Sequence, residues 1–165
     1  MLRVRRAVIF VAIFLCTAGF DQGSKHWANT SLTPGVAEPV IDGLWDWQLA
    51  KNTGVAFSRL SDIPGGQILL SILAAIALIA IGVMAMRTRP DERMKLAGLA
   101  LVGGGALGNL VDRVRDGAVT DFVRWRAGEH LWPIFNVADV ALVIGAGLLL
   151  LETALARRRR AMIDA

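Results

Sequence analysis

The sequence predicts an all-α membrane protein: four transmembrane helices, both termini cytoplasmic, and a small β-sheet outside the membrane between helices one and two. Three observations carry this expectation. Apolar residues, 55% of the 165, lie in blocks rather than in alternation, and a segment needs about 20 of them to cross a bilayer. Eleven of the eighteen Lys and Arg fall at the N-terminus, in 87–95 and in the tail 157–160, the pattern of cytoplasmic ends under the positive-inside rule. The longest polar segment, 28–65, contains Pro34, Gly35, Pro39, Asp42 and Gly43 as turn formers around a Trp-rich, partly alternating run. The whole chain, 1–165, has the size of a single domain.

Helix one is expected over about 7–27. Arg3, Arg5 and Arg6 precede an uncharged run, Ala7–Phe20, which has the shape of a secretory signal but no small-x-small cleavage site after it, so it reads as a retained helix. Fourteen residues at 1.5 Å each do not span hydrocarbon, so the helix continues to about Trp27 and carries Asp21, Gln22 and Lys25 inside its outer end. Asp21 and Lys25, four apart, share a face and can pair. Cys16, the only cysteine, reads as buried packing and leaves no disulfide framework.

Within 28–65, Val40–Leu49 reads as a strand or hairpin arm. Lys51–Phe57 reads as a turn plus a return strand, with Trp45 and Trp47 suited to the headgroup level. Helix two, 66–86, is uncharged. Helix three, about 94–113, contains Gly103, Gly105 and Gly108 in a G-x-G-x-x-G spacing. That fingerprint requires a βαβ unit, which the chain lacks, so Gly104 and Gly108 with Ala100 read as close-packing positions instead. A short loop holding Asp121 follows. Helix four is expected over 133–156, with Pro133 in its first turn and Arg157–Arg160 ending it.

This topology brings polar residues to one depth. Helix one ends with Asp21 and Lys25, helix three ends with Asn109, Asp112 and Arg113, and helix four begins with Asn136 and Asp139. All lie within about 10 Å of the outer interface at 1.5 Å per residue. Steps of three and four place each set on one helical face. Ionisable groups there cost several kcal/mol unless partnered, and are usually functional. Asp121 and Asp139 are therefore expected to form an acid/base pair held by the other polar groups, with Asp112 and Arg113 as a structural ion pair.

Composition narrows the chemistry. The pI near 10.2 comes from basic residues at span ends, not from a stripe with interleaved aromatics, so nucleic-acid binding is not expected. His26 and His130 lack both a serine arrangement and a His-Glu-x-x-His helix, so no metal or other cofactor is expected. Two close carboxylates share a proton. The ionised one can deprotonate an attacking water while its partner polarises a carbonyl, and Asn109, Asn136 or Arg113 could steady the developing charge. The residues alone leave open a small four-helix transporter or channel, or a non-catalytic membrane scaffold.

Five segments in order carry a specific resemblance: Asp21-Gln22-Gly23-Ser24-Lys25, Asn52-Thr53-Gly54-Val55-Ala56-Phe57, Gly104 to Arg113, Val119-Thr120-Asp121-Phe122, and Phe135-Asn136-Val137-Ala138-Asp139. Together they resemble bacterial lipoprotein signal peptidase (signal peptidase II). The resemblance implies an aspartic endopeptidase of the bacterial inner membrane whose active site faces the periplasm beside a β-cradle. It implies Asp121 and Asp139 as the catalytic dyad and Asn52, Gly54, Asn109, Arg113 and Asn136 as substrate-site residues; Asp21, Lys25 and Asp112 read, from their depth and spacing, as structural polar support. The substrate it implies is a diacylglyceryl-prolipoprotein cut before its lipidated cysteine. Diacyl chains cannot leave the bilayer cheaply, at about 0.8 kcal/mol per CH₂, so such a site opens sideways to membrane lipid. A monomer is the expected state.

Overall fold

In a computed structural model describing residues 2–54 and 66–163, the elements run in the order α1 (Leu2–Ser31), β1 (Ala37–Ile41), β2 (Trp45–Asn52), α2 (Gly66–Arg87), α3 (Arg93–Asp116), β3 (Val119–Ala127), β4 (His130–Leu131) and α4 (Val137–Ile163). Within each of the four helices lies a stretch long and apolar enough to cross a membrane. Burial is inverted relative to a water-soluble protein. Apolar side chains such as Ile79 and Val143 face outward, 69% and 72% exposed, whereas Asp21 and Lys25 are fully enclosed.

α3 is the hub, packing against α1, α2 and α4. Its small residues make this possible, since helices in lipid associate by close backbone approach rather than by hydrophobic drive. A Cβ on Gly104 would sit 2.6 Å from Thr17 Cβ and 2.7 Å from the Phe14 carbonyl oxygen of α1, and one on Gly105 would sit 2.6 Å from the Ala138 carbonyl oxygen of α4. Ala100 is fully buried. The packing role expected of Gly104, Gly108 and Ala100 is the one they have. Cys16 departs from expectation, lying exposed on the outer face of α1.

The sheet is antiparallel in the order β1-β2-β3-β4. β1 and β2 form a hairpin between helices one and two, but its turn, Asp42–Leu44 with Gly43 at φ 75°, where only glycine is unstrained, falls inside the run Val40–Leu49 expected to be a single arm. Two corrections follow. Lys51 and Asn52 continue β2 instead of starting a return strand, and Val55, Ala56 and Phe57 lie outside the described residues. The strand that pairs with the far edge of β2 is β3, from the connection between α3 and α4, where a short loop was expected. β2 carries one extra residue between Trp47 and Ala50, because Trp47 opposes Val123 whereas Ala50 opposes Asp121. A one-residue shift exchanges the two faces of a strand, so this bulge brings Asn52 round to the face of Asp121.

Helix ends also move. α1 runs four residues beyond Trp27 because Ala28, and Leu32 just past its end, are buried against Leu49 and Phe122 of the sheet, and packing extends the helix past its membrane segment. Trp27, Trp45, Trp47 and Phe122 meet in edge-on and tilted contacts with ring centroids 4.7–6.0 Å apart, so Trp45 and Trp47 are half-buried within the protein. α4 begins at Val137, not Pro133, and continues through Arg157–Arg160 to Ile163 instead of ending at them. The preceding residues are extended, with the Phe135 N–H donating to Val123 O at 3.0 Å and the Phe135 carbonyl accepting from Val123 N at 2.9 Å.

Candidate active site

The first turn of α4 is built by its own polar residues. Its leading N–H groups have no intrahelical acceptor and need outside partners. Asn136 stands at the N-cap, and its Oδ1 accepts from the Asp139 N–H at 3.0 Å while Asp139 Oδ2 accepts from the Asn136 N–H at 3.1 Å. This reciprocal pair is a capping box written with Asn and Asp. The Ala138 N–H between them donates to Asp21 Oδ1 of α1 at 2.8 Å. The helix therefore starts after Asn136, which accounts for the late start relative to Pro133.

Asp121, on β3, is 2% exposed. Asn52 Nδ2 donates to its Oδ2 at 2.9 Å and Asn136 Nδ2 to its Oδ1 at 2.6 Å. Asn109 Nδ2 donates to Asp139 Oδ1 at 3.1 Å. Each of the four carboxyl oxygens thus accepts one hydrogen bond from the described residues. A single amide, that of Asn136, touches Asp121 with its nitrogen and the backbone of Asp139 with its oxygen. Burial pushes the Asp121 carboxyl up to about 6, opposed by the hydrogen bond from Asn52 and reinforced by the negative charge of Asp139.

Asn52 is itself held, since its Oδ1 accepts from the Gly54 N–H at 2.8 Å, a local turn that frees Nδ2 for Asp121. Gly54 has φ 93°, and a side chain there would collide with Leu70 of α2. Half-buried Arg113 donates through NH1 to the Asn109 carbonyl at 3.4 Å, and its enclosed Nε has no hydrogen-bond partner among the described residues.

Beneath the two aspartates lies a buried ionic cluster. Lys25 Nζ is 2.8 Å from Asp21 Oδ2 and 3.2 Å from Asp112 Oδ2, with all three side chains fully enclosed. It also donates to Asn109 Oδ1 at 2.8 Å, so the cluster fixes which end of that amide faces Asp139. Gly108 is the position where α3 passes over Asp21; a Cβ there would overlap the carboxylate, with Cγ at 2.9 Å. The Asp21–Lys25 pair is as expected. The Asp112–Arg113 pair is not present: Asp112 pairs with Lys25, and more distantly with Arg115 at 3.9 Å.

Thus Asn52, Asn109, Asn136, Asp121 and Asp139 form one hydrogen-bonded group, with Asp21, Lys25 and Asp112 behind it. Two further contributors were not singled out from sequence. Gln22 donates to Asp112 Oδ1 at 2.8 Å and to the Gly108 carbonyl at 3.0 Å. Thr120, within the fourth motif, is fully buried, gives its N–H to Asp112 Oδ2 at 2.9 Å and accepts through Oγ1 from Lys51 Nζ at 2.9 Å. Gln22 lay within the first motif and at the right depth. Thr120 reaches Asp112 through its backbone N–H, which residue type does not reveal.

Comparisons with known proteins relate most of the chain to one family. A family model described as signal peptidase (SPase) II, Peptidase_A8, matches residues 13–155. The chain is 44% identical over 143 residues to a lipoprotein signal peptidase of Xanthomonas campestris pv. campestris, covering 85% of this chain and 84% of that one. It is 40% identical over 141 residues to a lipoprotein signal peptidase of Xylella fastidiosa, covering 85% and 84%. A solved structure described as a bacterial membrane enzyme obtained by the in meso method at 2.3 Å resolution superposes with a TM-score of 0.77 at 29% identity, covering 90% of this chain and 88% of that one.

Proposed function

The chain belongs to the signal peptidase II family, and from that premise we propose that Asp121 and Asp139 are its catalytic dyad, carried by the whole of 1–165 as one membrane peptidase domain. The protein is an aspartic endopeptidase of the bacterial inner membrane that removes the signal peptide from diacylglyceryl-modified prolipoproteins. The observation that carries the assignment of the dyad is the Asn136 side chain, which joins Asp121 to the capped start of the helix bearing Asp139.

In the mechanism these residues support, one member of the dyad is ionised and the other protonated, because two neighbouring negative charges oppose each other. The ionised member takes a proton from water as the water oxygen attacks the carbonyl carbon before the lipidated cysteine, and the protonated member gives its proton to the carbonyl oxygen. Collapse of the tetrahedral diol breaks the C–N bond, and the amine leaves with a proton returned by the dyad. Asn52, Asn109 and Asn136 each hold a carboxyl oxygen, so the acids need little reorganisation as charge moves. Arg113, whose enclosed Nε has no acceptor among the described residues, supplies positive charge beside the dyad that can stabilise a developing oxyanion, and Gly54 keeps the backbone beside Asn52 free of a side chain. The cluster of Asp21, Lys25 and Asp112 positions Asn109.

A transporter is disfavoured by position. The polar cluster lies at one end of the bundle, where α4 begins and α1 and α3 end, whereas transport sites sit near the midplane.

Purified protein should cleave a lipidated precursor peptide and cut its unlipidated twin at less than about a hundredth of the rate, since the acyl chains supply the membrane anchoring. Equal cleavage of both would remove the lipid requirement from the assigned reaction. A second expected result concerns pH. The Asn52 N–H stabilises the Asp121 carboxylate, so Asn52→Ala should carry Asp121 above its value of about 6. The inflection of kcat/KM that reports this group should then move to higher pH. A profile unmoved, or moved to lower pH, would show that Asn52 does not govern the titration.

A further inference from the structure

We propose that the cytoplasmic end of the crevice between α1 and α2 is a binding site for an anionic phospholipid of the inner leaflet. Its phosphate would sit on Arg6, Arg87 and Arg89, with an acyl chain along Phe10, Val11 and Met86. This site stands apart from the peptidase centre, at the opposite end of the bundle, and does not depend on the assignment of the dyad.

Both helices pack chiefly on α3 rather than on each other, which leaves a gap between them that opens toward lipid. At the cytoplasmic end the gap widens to a cavity of about 740 Å³, floored by Leu96 of α3. Arg6 bridges it, donating from NH2 to the carbonyl oxygen of buried Thr88, just past the end of α2. Three guanidinium groups therefore line one end, while the walls below are apolar.

These cations are poorly neutralised by the protein. Among the described residues no carboxylate lies within ion-pair distance of Arg6 or Arg87, and Arg89 meets only Asp91, at 3.6 Å with both side chains largely exposed. Glu92, the other nearby acid, is engaged by the Arg89 N–H at 2.6 Å and by Lys95 at 3.3 Å. A basic rim over an apolar wall between helices on the cytoplasmic side suits an acidic headgroup with its chain. A free phosphate would use only the rim, and a zwitterionic lipid brings its own cation to the arginines. The amino-terminal end of a substrate signal peptide is itself basic, so the same charges repel it.

The test is native mass spectrometry of the purified full chain titrated with dioleoyl-phosphatidylglycerol, dioleoyl-phosphatidylcholine or inorganic phosphate. Phosphatidylglycerol should be retained more than about tenfold more tightly than phosphatidylcholine, given a several-fold gain for each of the three arginines. The preference should collapse in Arg6→Gln/Arg87→Gln. Because those changes also remove topology-setting charge, Gly82→Phe provides a second variant. Nothing lies within 4 Å of a Cβ at Gly82, so the ring can fill the cavity without moving the backbone, and it should reduce phosphatidylglycerol retention with the arginines intact. Equal retention of the two lipids, unchanged retention in either variant, or displacement of the lipid by phosphate alone would overturn the proposal.

Discussion

Asp139→Asn is expected to lower kcat for prolipoprotein cleavage by about 10³-fold, within the 10²–10⁴ that acid/base groups contribute, while the protein inserts and folds normally. The substitution keeps the size of the side chain and one oxygen able to accept from the Asn136 N–H, so the start of α4 survives. What it removes is the capacity to share a proton with Asp121. Asp139→Ala should be equally inactive and should also lose about 1 kcal/mol of stability with the cap. Cleavage of a lipidated precursor, followed by gel mobility alongside thermal unfolding, separates the two effects. If Asp139→Asn retained a rate within tenfold of the parent, the assignment of this residue would fail, whatever its hydrogen bonds.

The largest effect on stability is expected at Lys25. Lys25→Met leaves Asp21 and Asp112 enclosed with their cation gone, and breaking a buried ion pair from one side costs about 3–5 kcal/mol. The loss should be visible as a lower unfolding midpoint in detergent. Activity should fall with it, because Asn109 Oδ1 loses its strongest donor and the amide is no longer fixed against Asp139. Lys25→Met combined with Asp21→Asn and Asp112→Asn removes the uncompensated charges and should recover much of the midpoint but not the activity. A single Lys25→Met variant as stable as the parent would mean that the three charges are dispensable to the fold.

The helices were legible because bilayer thickness imposes a length and a composition on each span, and a basic residue count fixes the orientation. The convergence of Asp21, Lys25, Asn109, Asn136 and Asp139 was legible for the same reason: once topology is set, depth follows from counting residues. The pairing of Asp112 was not, because residue order suggests Arg113 as partner, whereas the helical twist turns Asp112 inward to α1 and Lys25. β3 was also hidden. Val123–Ala127 does alternate apolar and charged residues as a strand does, but Val119–Phe122 does not, and the strand is completed by docking on β2. Similarly, nothing local marks the extra residue in β2, although it decides that Asn52 and not Lys51 reaches Asp121.

The assembly of the dyad from separate segments has a bearing on biosynthesis. Asn52 leaves the ribosome first, Asn109 and Asp121 later, and Asp139 on the last span, whose first turn is closed by Asp21 from the first. An incompletely translated chain therefore holds no acid pair, and one that has failed to insert its final span holds no cap for it. With the dyad as proposed, proteolytic competence is withheld until α4 has been made and inserted, a latency built into the order of the chain.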